Sequence, residues 1–157
     1  ANQELVLDNV AGNAMELSLD IDPKDAREVC LQILRSPNAE EHTSISFYRH
    51  GHLSLNIDGQ HVSQDALALD VSRASLRADV FARPPEVAPF ILKEDETLQL
   101  RVFIDKSVVE VFANGRQCLA LRAYPEREDS VGVALHTQGS DAVLCSLDAW
   151  QMTSIWV

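Results

Sequence analysis

Cysteine is scarce in this chain of 157 residues. Cys30, Cys118 and Cys145 are an odd number without CxxC spacing, so neither a zinc ribbon nor a disulfide framework is indicated. Each sits in an apolar, strand-like run, where a small buried hydrophobe is the plainer reading than a reactive thiol. No apolar run approaches the ~20 residues needed to span a bilayer. The polar opening Ala1-Asn2-Gln3-Glu4 shows no signal peptide. Basic residues are also few, 13 against 24 acidic ones, for a formal net charge of −11. That balance argues against nucleic acid and anionic membrane surfaces as partners and leaves neutral ligands such as sugars unaffected. Ser107, Ser130 and Ser146 lack a G-x-S-x-G context, and no G-x-G-x-x-G or phosphate loop occurs, so a nucleophile elbow and a dinucleotide cradle are both excluded. No repeat of fixed period appears, which argues against a propeller or solenoid.

What the chain does have is alternation. From Leu98 to Tyr124 it reads as three consecutive antiparallel strands. Leu98, Leu100, Val102 and Ile104 share one face, and Gln99, Arg101 and Phe103 the other. Asp105-Lys106-Ser107 breaks the run with turn formers. Val108 to Ala113 is β-branched and aromatic apart from Glu110, and Asn114-Gly115 is a strong hairpin signal because both residues tolerate positive φ. Gln117 to Tyr124 pairs back.

The same period recurs upstream and downstream. Met15, Leu17, Leu19 and Ile21 alternate within Ala14 to Asp22, a half-buried strand stopped by Pro23. Asp25 to Glu28 is able to start a short helix, and Val29 to Leu34 reads as a strand. Thr43 to Tyr48 alternates, Arg49-His50-Gly51-His52 closes a hairpin into Leu53 to Ile57, and Asp58-Gly59 ends that strand. Leu67, Leu69 and Val71 form another set. Arg83 to Pro89 is Pro-rich and reads as a loop or extended connection. Val131 to Thr137 and Ala142 to Met152 supply the last strands. About eleven short strands with no long helix predict an all-β fold, a two-sheet antiparallel β-sandwich of the concanavalin or lectin-like jelly-roll type, in one domain over residues 1–157.

The stretch LRVFIDKSVVEVFANG, followed by RAYP and by LDAWQM, resembles the C-terminal β-sandwich module of glycoside hydrolase family 32, which includes invertases, levanases, inulinases and other β-fructosidases. The residues that carry the likeness are Leu100, Arg101, Phe103, Asp105, Ser107, Glu110, Phe112, Asn114, Gly115, Arg122, Tyr124, Pro125 and Trp150. AMELSLDID, TSISFYRH and LALDVSRAS follow the order seen in that module. The resemblance implies an N-terminal five-bladed propeller as partner and holder of the catalytic carboxylates, in N-D-P-N, R-D-P and Glu-Cys motifs. None of those strings occurs here.

Retaining glycosidases need two carboxyl groups about 5 Å apart, and 24 acidic residues guarantee that some pair lies close by chance. Asp105 and Glu110 therefore read as a turn-capping residue and a polar strand position, paired with Arg101 or Arg122 across strands. His50 and His52, with His42 and His61 nearby, form an HxH pair that Gly51 would spread apart, so exposed turn histidines are the plainer reading than a zinc site. Trp150, Trp156, Tyr48 and Tyr124 do not form an evident sugar-stacking strip, and Trp150 reads as a core residue.

The expectation is a non-catalytic module with no catalytic, cofactor-binding or metal-ligating residues of its own and no cofactor. It would serve a parent that hydrolyses sucrose or fructans, bracing the propeller, supplying interface, or lining an outer substrate subsite. The alternatives are a free-standing carbohydrate-binding module, with fructan or sucrose as ligand, and an oligomerisation module that makes a homo-oligomer. Compartment stays open.

Overall fold

A computed structural model describes residues 2–57, 60–81 and 83–153, with backbone alone over 50–57 and 60–62. The described residues form eleven strands, all paired antiparallel: β1 (Glu4–Ala11), β2 (Ala14–Asp22), β3 (Glu28–Arg35), β4 (Thr43–Ile57), β5 (Gln60–Asp70), β6 (Glu86–Pro89), β7 (Leu98–Asp105), β8 (Val108–Ala113), β9 (Gln117–Arg122), β10 (Gly132–Gln138) and β11 (Val143–Gln151). Six strands make one sheet in the order β1-β10-β3-β4-β5-β6, and five make the other in the order β11-β2-β7-β8-β9. The two-sheet sandwich expected from the alternation is therefore the fold. Among the described residues no helix is long and apolar enough to cross a membrane.

The core is the space between the sheets. Met15, Leu17, Leu19 and Ile21 of β2 line up with Ile104, Val102, Leu100 and Leu98 of β7 in one register, and all eight are buried. Val109, Val111 and Ala113 continue that face on β8, and Leu119 and Leu121 on β9. From the facing sheet come Val29, Leu31, Ile33, Ile45, Phe47, Leu67 and Leu69. Phe47 meets Phe90 edge to face, with ring centroids 5.9 Å apart. Each fully buried aliphatic or aromatic side chain contributes roughly 1.5–3 kcal/mol, so interior packing dominates the stability.

Two backbone features fix the register. Asn114 and Gly115 both take positive φ, 48° and 62°, at the centre of the turn between β8 and β9 that the Arg116 N–H closes on the Ala113 carbonyl at 3.1 Å. Leu34 also has positive φ, 47°, where β3 slips relative to β10 between the Gly132–Arg35 and Ala134–Gln32 pairs. A Cβ on Gly132 would lie 2.9 Å from the Arg35 carbonyl oxygen, so this bulge needs a residue without a side chain.

Several sequence expectations are corrected. Arg49–His52 does not close a hairpin: β4 runs through it, and its ladder with β5 is irregular between Tyr48 and Leu53. A long bulge takes up the residues that resembled a turn. Asp58-Gly59 lies outside the described residues. Within the Pro-rich stretch, Glu86–Pro89 is a strand paired to β5 at the sheet edge, where the missing N–H of proline disrupts no second ladder. β1 has no apolar period because most of it is exposed, and backbone pairing to β10 holds it. Asp25 starts no helix; Ala26 N–H instead bonds the Pro23 carbonyl at 2.9 Å.

Candidate functional site

The outward face of the five-stranded sheet forms an open groove of about 580 Å³ across β2, β7 and β8. Strand alternation places Ser18 and Asp20, Gln99 and Arg101, and Phe112 and Asn114 on it, with Ser146 from β11. Phe103 and Phe112 meet edge to face at 6.0 Å. The Arg101 guanidinium sits 5.1 Å from the Phe103 ring centroid, and its Nε donates to Glu16 Oε1 at 2.6 Å. Asp20 Oδ1 is buried without a hydrogen-bond partner, an acceptor a ligand hydroxyl would satisfy. The arrangement suits a neutral, hydroxyl-bearing ligand with an apolar face.

One corner of this face is locked by ions. Glu96 takes two hydrogen bonds from the Arg116 guanidinium, at 2.6 and 2.7 Å, and one from the Lys93 N–H at 2.9 Å. The Arg116 bonds, first, and then the Lys93 N–H hold the Glu96 carboxyl down at about 2. Asn114 Nδ2 also donates to Glu96, while its Oδ1 accepts from the Gln99 N–H. The asparagine thus fixes both its own turn and the loop before β7.

A second constellation lies in the loops at one end of the sandwich. Glu41 is fully buried. Its Oε1 accepts from the Leu76 and Glu126 N–H groups, both at 2.8 Å. Its Oε2 accepts from the Arg127 N–H at 3.1 Å and the Ser130 hydroxyl at 2.6 Å. Burial pushes this carboxyl up, but the Ser130 and three backbone hydrogen bonds outweigh it, and the net shift is below the ordinary value. One carboxylate therefore ties together the β3–β4, β5–β6 and β9–β10 connections. Beside it, Tyr124, Pro125 and Val80 line a cavity with Arg77 and Arg127. Leu76, Tyr124 and Phe81 are exposed, Phe81 by 85%.

On the six-stranded sheet, Glu28, Cys30 and His136 bring potential metal-ligating atoms close together. Burial pushes the Cys30 thiol up to about 11, so on its own it is an inert thiol.

Residues singled out from sequence scatter. Asp105 and Glu110 are exposed, and among the described residues no ion pair joins them to Arg101 or Arg122. Glu110 instead stands between Phe103 and Ala120. The expectation that all three cysteines are buried holds for Cys30 only; Cys118 and Cys145 are exposed, each on an edge strand, with Cys145 at the irregularity in the ladder of β11 with β2. Trp150 is not a core residue: it is 50% exposed, opposite Glu16 on the edge strand β11. His42 is half-buried, with Nδ1 3.3 Å from the Ala39 carbonyl oxygen. The side chains of His50, His52 and His61, and Trp156, lie outside the described residues. Glu41 was missed, and nothing distinguishes it in sequence from the adjacent Glu40.

Such a pair of antiparallel sheets defines the class of β-sandwich modules. The chain superposes on fructan 1-exohydrolase IIa from Cichorium intybus with a TM-score of 0.75 over 96% of its length and 33% of that protein, at 16% identity; this likeness shows the fold. Residues 1–151 match the family described as "Glycosyl hydrolases family 32 C terminal", and the chain belongs to that family. It is 32% identical over 136 residues to a beta-fructofuranosidase, insoluble isoenzyme 7, of Oryza sativa subsp. indica, covering 81% of this chain and 21% of that protein. It is 34% identical over 133 residues to an acid beta-fructofuranosidase of Vicia faba, covering 81% and 19%. The chain thus spans about a fifth of the length of the curated relatives it matches.

Proposed function

We propose that this chain is one sandwich domain serving as the non-catalytic module of a β-fructosidase-type hydrolase acting on sucrose or fructans. Its work is to brace an N-terminal catalytic propeller. The observation that carries the reading is the family match over residues 1–151 combined with coverage of only about a fifth of each relative. The exposed Leu76, Phe81 and Tyr124, on the connections that Glu41 ties together, support it, since exposed apolar side chains on tied loops are suited to a neighbouring domain. The purified 157-residue chain is expected to release no fructose from sucrose, inulin or levan. Robust hydrolysis by it would sink the proposal.

The groove on the five-stranded sheet favours a second reading, direct binding of a fructan or sucrose by this module. The Phe103–Phe112 pair supplies an apolar surface, and Asp20 and Gln99 supply hydrogen-bonding groups. Calorimetric titration with inulin, levan and sucrose tests it. Heat that disappears in Phe112→Ala supports binding there, and no heat up to millimolar ligand rejects it.

A further inference from the structure

The outward face of the six-stranded sheet carries a site that rests on neither reading above. Glu28 and Cys30 are two residues apart on β3, so the strand period gives their side chains one face. β10 places His136 directly opposite Cys30, and β4 places Ser46 opposite it on the other flank. A carboxylate oxygen, the thiol sulfur and an imidazole nitrogen all lie within 4.8 Å of one another. Ligands about 2.0–2.3 Å from one tetrahedral ion stand roughly 3.3–3.8 Å apart, so small side-chain rotations close the set.

The donor chemistry selects the ion. Thiolate, imidazole and carboxylate together suit zinc and its close analogues, whereas magnesium and calcium take oxygen ligands. Glu28 and Cys30 are almost fully buried, 9% and 2% exposed. Ser46 Oγ donates to Glu28 Oε1 at 2.9 Å, the outer-shell hydrogen bond that orients a ligating carboxylate. The surrounding cavity, about 230 Å³, has His42, Tyr48 and Asp70 in its wall. All three ligand residues stand on paired strands, which hold them more firmly than loops would.

We propose that Glu28, Cys30 and His136 bind one zinc-type divalent cation on the outward face of the six-stranded sheet, with Ser46 positioning the Glu28 carboxylate and a fourth coordination position left to solvent or an added ligand. On binding, the Sγ–metal bond replaces the thiol S–H bond and the proton leaves to solvent. No electron is transferred.

Cobalt(II) is the probe, added to the full chain carrying Cys118→Ser and Cys145→Ser so that Cys30 is the sole thiol. Expected are one equivalent bound, a thiolate-to-cobalt charge-transfer band, visible bands of four-coordinate intensity, and their loss on adding zinc. Cys30→Ser should abolish the charge-transfer band, His136→Ala should weaken binding, and Ser46→Ala should weaken it about tenfold. A folded chain that shows no charge-transfer band at millimolar cobalt overturns the proposal, and this arm needs no substitution at the site. Cobalt affinity unchanged in His136→Ala overturns it as well.

Discussion

Two regions concentrate carboxylates near tight connections, and they use them oppositely. In the meander from Leu98 to Arg122, Asp105 and Glu110 face solvent, and the strands are held by the packed face beneath them. At the loop end, Glu41 is fully buried and accepts four hydrogen bonds from two other connections. The same functional group is dispensable in one place and structural in the other. What differs is whether water or the protein solvates it. A carboxylate in water gains little from a nearby partner, while one stripped of water must have its hydrogen bonds supplied by the fold.

The sharpest way to break this contrast is Glu41→Ala. It leaves three backbone N–H groups and the Ser130 hydroxyl without their acceptor, at a cost of about 3 kcal/mol or more. A melting temperature lower by roughly 6–12 °C is expected. A loss below 1 kcal/mol in urea titration would show that the loops do not depend on this carboxylate.

Acidification tests the same point without mutation. The folded-state values of Glu41 and Glu96 both lie below the ordinary 4.5, Glu96 at about 2. Groups depressed in the folded state add stability above their unfolded value, and that contribution is lost as pH falls through the folded one. Urea midpoints should therefore drop steadily from near pH 4.5 toward pH 2. The slope should be shallower in Glu41→Ala, and an unchanged slope would mean Glu41 is not among the groups responsible.

Within the meander, the turn matters more than the charges. Gly115→Ala meets no atom within 4 Å, so its cost is the backbone strain of φ +62° alone, about 1 kcal/mol. A loss of several kcal/mol would reveal a contact that the geometry does not contain. Smallest of all, Asp105→Asn and Glu110→Gln should each change stability by no more than about 0.5 kcal/mol. A larger loss at either position would erase the distinction between the regions.

How much could be read in advance follows the same division. β2, β7, β8 and β9 were legible because one face is buried and the other wet, which writes a period of two into the residues. β1 was not, since an edge strand exposed along most of its length carries no such signal. Nor was the continuous β4, because a long bulge uses the residue types that turns use. Outward positions on edge strands misled in the opposite direction. Cys118, Cys145 and Trp150 sit among apolar neighbours in sequence, yet face solvent.

The groupings with chemistry were the least legible. Glu28 and Cys30 are close in sequence, but His136 joins them only because β10 lies between β1 and β3 in the sheet. Ser46 and Asp70 reach the same cavity from β4 and β5. Such a set has no spacing to recognise.

By itself, the sequence determined the all-β class, the meander with its Asn114-Gly115 turn, and the family likeness. Each of these is local, resting on alternation and turn chemistry within a few residues. Only the tertiary structure decided which acid is buried, which thiol is shielded and which histidine stands beside it. Those outcomes depend on strand order and on the solvation each side chain loses, and pairs such as Cys30 and His136, 106 residues apart, acquire their environment only when the sheet closes.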